Sequence, residues 1–548
     1  MMQRLFLLAL ILLAPALVLS QTIPVSNNYA SENARIRQLL GDTSITASFS
    51  IRPINFGSDS ILRHLTASKN LLSDTGATGI YLLPVRLLGE YNVNRPYGYN
   101  NGSLYPNRGL QNLLSAGVLF KAGILRIQLQ PELVYAQNRS FPTFADVQGS
   151  NNNPQLMSAY FYMTNGIDAP EHFGNSSITH LYPGQSKITI NIHNIEAGVS
   201  TENMWWGPGT QNAIMMSNSA PGFLHWTINS AAPIKTPIGS LEWQLIGGNL
   251  KQSGYPPTDT AKLVNAHGML IPKPAVTRYI SAFTINWQPK WIKGLYIGVS
   301  GYDYLNKDSV YTRKSLFNRV LPVFSHSSAQ ANTVADSIRG DGEDFAFAFN
   351  IRQTFPEVHT EIYFEWARND RAAGLNDFVQ EPEHASGYTV GGRRLFELRK
   401  ETFLQVKFEL THLQDPPTYL LRPEPTWYVH LTPPQDGYTN DGRYIGAGIG
   451  PGSNSFTWDM SVLKGQNSYG VTFERLVHNN DLYYQAFSGT NIFNRHWVDL
   501  AATFYANWKL GNYVLSGELT PVYTLNYEYQ AGTSYNLHAR VALTYYFN

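Results

Sequence analysis

The chain has 548 residues, 40 of them basic against 39 acidic, with charged side chains at 14% and aromatic side chains at 13%. So balanced and sparse a charge excludes a nucleic-acid binder, which needs a basic surplus to neutralise phosphates. The absence of cysteine excludes a disulfide framework, thiolate metal ligands and a lipidated cysteine anchor.

At the N-terminus, Arg4 precedes an apolar run over 5–19 and the small Ser20. This pattern predicts a secretory signal peptide over 1–20; the run is shorter than the about 20 residues a spanning helix needs. Residues 30–40 and 58–72 then read as short helices with an extended stretch over 45–54 between them. In the second helix Ile61, Leu62, Leu65 and Leu72 share a face and Ser58 is placed to cap it. Residues 21–78 are thus expected to form a small N-terminal periplasmic element that docks on or plugs the base of the larger C-terminal region.

From Gly79 the periodicity changes to two. Leu125, Ile127, Leu129 and Leu133 alternate with Arg126, Gln128, Gln130 and Glu132. Phe345, Phe347, Phe349 and Ile351 oppose Asp344, Asn350 and Arg352, with Ala346 and Ala348 between. Leu404, Val406, Phe408 and Leu410 oppose Gln405, Lys407, Glu409 and Thr411, and Val498, Leu500, Phe504 and Trp508 oppose Asp499, Thr503, Asn507 and Lys509. The last stretch, 534–548, is the clearest. Tyr535, Leu537, Ala539, Val541, Leu543, Tyr545 and Phe547 fall on one face, and Asn536, His538, Arg540, Thr544 and Tyr546 on the other. Soluble sandwich strands alternate too, but seldom run so long with tyrosines at both margins. The pattern predicts an all-β transmembrane antiparallel barrel over 79–548, apolar toward lipid and polar toward a watery lumen.

About nineteen strand candidates can be counted, and since single-chain bacterial barrels have even numbers, eighteen is the expectation. Short turns are read at 353–356, 478–481 and 510–512, and long connectors at 307–342, 370–391 and 414–442. Between 138 and 222 the parity breaks: counting from the N-terminus puts the segment after Ser200 on the periplasmic side, and counting from the C-terminus puts it outside.

That segment, 196–222, carries Trp205, Trp206, Gly207, Pro208, Gly209, Ser217 and Asn218. It resembles the tryptophan–glycine–proline–glycine signature of the Wzi capsule-assembly family, in which an aromatic pair leads into a Gly-Pro-Gly turn and an apolar run ending in Ser-Asn. Residues 232–239, 361–370 and 446–454 are similar to later segments of the family, less specifically. The resemblance implies an outer-membrane barrel of about eighteen strands with a helical periplasmic element, acting as a lectin for capsular polysaccharide. The expected partners are therefore capsular or extracellular polysaccharide, outer-membrane lipid and the capsule-export machinery, with no nucleic acid and no cofactor.

Two stretches supply candidate sugar contacts. Trp205 and Trp206 offer flat apolar faces, and Asn203, Gln211, Asn212 and Asn218 offer planar amides for hydroxyls. The same residues also suit a structural role, with Gly207 and Gly209 shaping a tight turn and the tryptophans packing the lumen or the plug. Residues 91–108 interleave Tyr97, Tyr99 and Tyr105 with Asn and Arg, as a glycan platform or an ordinary polar outer loop. Arg368 and Asp370, with Arg371, Glu381 and Glu383 nearby, are further candidates for gripping sugar, or charges that pair with one another. No H-E-x-x-H or G-x-S-x-G pattern occurs, so a non-enzymatic role is expected. The runner-up is a porin for small polar solutes or sugars, and a barrel hydrolase comes third.

Overall fold

The computed structural model describes residues 21–56, 78–264, 266, 268–312, 315–324, 343–369, 375–416, 426–431 and 435–547. The predicted signal peptide, the predicted helix over 58–72 and Asp370 lie outside the described residues.

A closed antiparallel barrel forms from eighteen strands, three of which are broken into two segments. In chain order they are β1 (Thr78–Asn92), β2 (Gly109–Ala122), β3 (Leu125–Leu129 and Glu132–Ala136), β4 (Ile178–Tyr182 and Lys187–Ile192), β5 (Ile195–Ser200) and β6 (His225–Ser230 and Ile234–Thr236). There follow β7 (Gly239–Leu250), β8 (Arg278–Pro289), β9 (Leu295–Asn306), β10 (Asp344–Phe355), β11 (Thr360–Asn369) and β12 (Ser386–Arg399). The last six are β13 (Thr402–His412), β14 (Asn454–Lys464), β15 (Asn467–His478), β16 (Trp497–Leu510), β17 (Tyr513–Leu525) and β18 (Thr533–Tyr545). β18 closes on β1 from His538↔Asn92 to Tyr545↔Val85. A closed sheet leaves no unpaired edge, which is what a spanning structure without long apolar helices requires.

Burial follows the alternation. On β18, Tyr535, Leu537, Val541 and Leu543 are 68%, 41%, 54% and 40% exposed, whereas Asn536 and His538 between them are 4% and 5% exposed. The protein is apolar outside and polar inside at this wall, the signature of a surface solvated by lipid. The connections alternate in length: one end carries short turns such as 465–466 and 511–512, the other long connectors.

Three expectations are corrected. The short turn expected at 478–481 instead opens a long connector, in which Asn479 caps a helix, Asn480–Phe487, by accepting the Leu482 N–H. The loop expected over 370–391 ends at Ser386, because 386–391 already pair with β11. The stretch 91–108 does not stand out from the barrel: beyond β1 it dips inward, so that the Gly102 N–H donates to the Asn218 carbonyl at 2.6 Å. The parity break is also explained. β5 and β6 pair over only six residues, Ile195↔Ser230 to Ser200↔His225; the chain between them leaves the wall at the long-connector side of these short strands and folds into the lumen.

The lumen is not uniformly watery. At the long-connector end an apolar cluster fills it, joining Met157 and Phe161 of α2 (Pro154–Asn165), Leu482 and Tyr483 of the 480–487 helix, Ile214–Met216, and Trp427, Tyr428 and Tyr438. Tyr438 stacks on Tyr302 of β9 with centroids 3.8 Å apart, and its hydroxyl donates to the Met215 carbonyl.

Candidate functional site

The site is built from the N-terminal element upward. Helix α1 (Asn28–Leu39), capped by Asn27 accepting the Ala30 N–H, lies within the barrel wall. Its Arg35 reaches Glu361 of β11 at 2.8 Å, and Arg352 of β10 and Arg393 of β12 meet the same carboxylate at 2.5 and 2.7 Å. Arg393 also pairs with Glu32 at 2.7 Å. One fully buried carboxylate thus organises three guanidiniums, and the pairing is what makes so many buried charges tolerable.

The Trp-Trp-Gly-Pro-Gly turn sits on this clamp. Trp205 and Trp206 pair as a short antiparallel ladder with Arg52 and Ile51, and the Gly207 N–H donates to the Ser50 carbonyl. Arg35 donates to the Pro208 carbonyl and Arg52 to that of Gly209. Beyond the turn, the backbone N–H groups of Thr210, Gln211 and Asn212 all donate to Glu409 of β13, at 2.6 to 3.1 Å. Three converging amides form an anion-binding nest for that buried carboxylate. The glycines are dictated by this geometry. Gly207 has φ of +132°, and a Cβ on Gly209 would lie 1.9 Å from the Asn212 carbonyl oxygen.

Next to the turn is a chamber of about 530 Å³, within the range of small-ligand sites. It reaches from the short-turn end, where Glu401 and Gln466 border it, to the inward-dipping 97–102 segment. Tyr97 and Tyr99 hang there, both donating to Glu474 of β15, at 2.7 and 2.6 Å. Burial, then the Glu474 charge, push both phenols well above the usual tyrosine range, so both remain hydrogen-bond donors at physiological pH. Arg540 of β18 donates to Asn101 at 3.0 Å. Lys407 faces Asp459 at 3.6 Å, and Tyr505 donates to the same aspartate at 2.8 Å. Aromatic edges, amides and charged groups of both signs line one space, a set suited to a polyhydroxylated ligand.

Of the residues singled out from sequence, Tyr97, Tyr99, Gln211, Asn218 and Trp205 border this chamber. The Trp205 ring is covered by the Arg52 guanidinium at 4.9 Å, which leaves it 3% exposed. Trp206 is fully buried and donates to Gln244. Asn203 bonds Gln185, the Ala220 carbonyl and the Gly222 N–H, and Asn212 bonds Ser455; both are buried. Tyr105 is buried against Tyr182, with Arg443 4.5 Å from its ring centre. Arg368 is buried near the long-connector end and donates to the Glu381 carbonyl. The signature is therefore a packing device, with only part of it reaching open space. Sequence reading passed over Glu474, and it read Glu409, Arg540 and Glu361 only as polar-face or family-segment residues, not as parts of a site. Their signal was a charge repeated at mid-strand on the polar face, readable once the lumen is known to be filled by loops that need anchors.

Fold and site together define a transmembrane β-barrel with an apolar cluster packed in the long-connector end of its lumen and a polar chamber beneath it. The profile of the capsule assembly protein Wzi family matches residues 111–510, and the chain belongs to that family. Among solved structures, it is similar to Escherichia coli Wzi, an outer-membrane protein involved in group 1 capsule assembly and a carbohydrate-binding β-barrel. That likeness covers 96% of this chain and 100% of the other at 11% identity, with a TM-score of 0.58. Looser likeness extends to OprD of Pseudomonas aeruginosa and OccAB1 of Acinetobacter baumannii. Each covers 88% of this chain, and 95% and 98% of their own, at 8% identity and a TM-score of 0.39. No curated protein matches the sequence.

Proposed function

We propose that this protein is a non-enzymatic outer-membrane lectin that binds capsular or extracellular polysaccharide and supports its assembly at the cell surface. In this reading residues 1–20 direct export, 21–78 form the element that seats in the barrel and 79–548 span the membrane, with lipid and the capsule-export machinery as partners. The observation that carries the reading is the chamber: tyrosine, amide and charged groups meet there, in a member of a capsule-assembly family. A space of about 530 Å³ accommodates a few sugar units, so it would hold a chain end or a short branch rather than the run of a polymer. Many barrels on one cell would each hold one such end or branch, so that weak single contacts add through avidity.

A porin needs a continuous water path, and the apolar cluster between α2 and Tyr438 stands in it. Planar-bilayer recording of the purified barrel is expected to give little steady conductance; a large open-channel current would favour the porin reading. In cells, deleting the gene is expected to release capsule into the medium while synthesis continues. Undiminished retention would contradict the proposal, and shortened chains after incubation with purified capsule would point to a hydrolase.

A further inference from the structure

The lipid-facing wall is interrupted at β8 and β9. Ile280 and Ala282 pack in the luminal cluster, so Tyr279, Ser281 and Phe283 face away from the lumen. Likewise Tyr302 and Tyr304 point inward, and Gly301, Asp303 and Leu305 outward. Yet Ser281, Asp303 and Leu305 are 0% exposed, whereas Ile285, further toward the short turns, is 41% exposed. An outward-facing carboxylate would be destabilising against lipid, so this part of the wall is not itself a lipid surface.

What covers it is the connector after β9. Residues 315–324 fold down the outside of the barrel: the Val323 N–H donates to the Ser281 hydroxyl at 3.0 Å, and the Tyr279 hydroxyl to the Val320 carbonyl at 2.8 Å. Trp226 of β6 donates to the Tyr279 hydroxyl from the other side, and the Phe324 ring meets that of Phe283 with centroids 4.9 Å apart. The saddle so formed presents apolar groups on its own outer side, with Leu316 76%, Phe317 54% and Phe324 47% exposed.

We propose that residues 315–324 are a lipid-embedded saddle, which replaces the interrupted wall and inserts Leu316, Phe317 and Phe324 into the leaflet around the long-connector end. The occupant is lipid because the patch lies on the outer wall and continues the apolar belt through Phe283 and Ile285. The saddle anchors the barrel at one side and is independent of what the chamber binds.

The native chain has no cysteine, so a single introduced thiol can be labelled cleanly. Phe317→Cys carrying an environment-sensitive fluorophore would be reconstituted in phosphatidylcholine vesicles containing doxyl-labelled lipid. Leu543→Cys, on the belt, and Tyr484→Cys, in a long connector, serve as references. Quenching of the Phe317 probe close to that of the belt reference is expected. Quenching no greater than that of the Tyr484 probe would overturn the proposal. Energy transfer between copies without lipid quenching would overturn it as well, assigning the patch to a second copy. A Leu316→Asp/Phe317→Asp variant that keeps the heat-sensitive gel mobility of the folded barrel should insert into vesicles less efficiently than the wild type; equal insertion would count against the saddle.

Discussion

On the β7 to β11 side the two halves of the lumen are made from the same strands and have opposite chemistry. Toward the short turns the inward positions are Glu242, which accepts the Ser48 N–H, and Gln244 on β7, Thr284 and Asn286 on β8, Asn350 and Arg352 on β10, and Glu361 and Glu365 on β11. Toward the long connectors the same faces become Ile246 and Leu250, Ile280 and Ala282, Ala346 and Ala348, and Ala367. A change of character half-way along β7, β8, β10 and β11 is what lets this side of the cylinder hold an ionic clamp below and an apolar plug above. The first fixes the N-terminal helix and the Gly-Pro-Gly turn through charge. The second fixes the inward-folded connectors through area removed from water, which is non-directional and tolerant of loop shape. The chamber survives where neither filling reaches.

The largest expected effect is on the clamp. Glu361→Ala would leave Arg35 and Arg352 without their carboxylate and Arg393 with Glu32 alone, and removing one partner of a buried ionic group costs roughly 3–5 kcal/mol. The midpoint of the heat-induced gel-mobility change should fall, and α1 should become protease-sensitive; an unchanged midpoint would mean the guanidiniums find other partners. Second is the plug. Trp427, fully buried there, should cost about 3–4 kcal/mol as Trp427→Ala, and this variant, unlike Glu361→Ala, should raise bilayer conductance. If both variants behave alike, the halves are one cooperative unit and the comparison fails.

A smaller effect is expected at the chamber. Tyr97→Phe and Tyr99→Phe each remove a hydrogen bond to the Glu474 carboxylate, which should cost about 1.5–3 kcal/mol of stability in a buried setting and lower sugar affinity as well. Smallest is a pH effect confined to the long-connector end. Glu171 accepts from Tyr160 and from the Phe144 N–H, and burial pushes its carboxyl up to about 7. Burial, with Glu171 adding to it, also pushes the neighbouring Glu528 upward. A carboxyl with a raised pKa in the fold stabilises the fold when protonated. That contribution is complete below the ordinary value near 4.5 and is lost as pH rises through about 7. Hydrogen-exchange protection in 137–177 and 526–532, taken relative to the intrinsic base-catalysed rate, should therefore be lower at pH 8 than at pH 5, and Glu171→Gln should flatten that difference.

How far all this could be read in advance depends on which periodicity carried it. The two-residue alternation at 534–548 and 344–352 gave the inside and the outside correctly, because only one arrangement exposes Leu537 and Val541 while burying Asn536 and His538. The change of character along a strand was visible in Ala346 and Ala348 beside Asn350 and Arg352, but has no meaning until something is known to fill the lumen. The short turn misplaced at 478–481 is a case of local competition: Asn479 reads as a turn residue, yet its side chain caps a helix. The signature over 205–209 marked a site of strict geometry; its tryptophans suggested a sugar platform because sequence does not record that Arg52 and Gln244 already occupy them. The chamber was reached only in part, through Tyr97, Tyr99, Trp205, Gln211 and Asn218, since its other walls come from α1, β1 to β3 and β13 to β18 and are joined by no motif.

The central claim is that a sealed barrel holds sugar in its short-turn-side chamber. Its most direct test is calorimetric titration of the detergent-purified protein with oligosaccharides of defined length cut from the capsule of the source cell. The account predicts saturable binding by fragments of a few units, abolished in a Tyr97→Ala/Tyr99→Ala double variant and retained in Trp427→Ala. Binding that is absent in the wild type, or indifferent to the loss of both tyrosines, would contradict it.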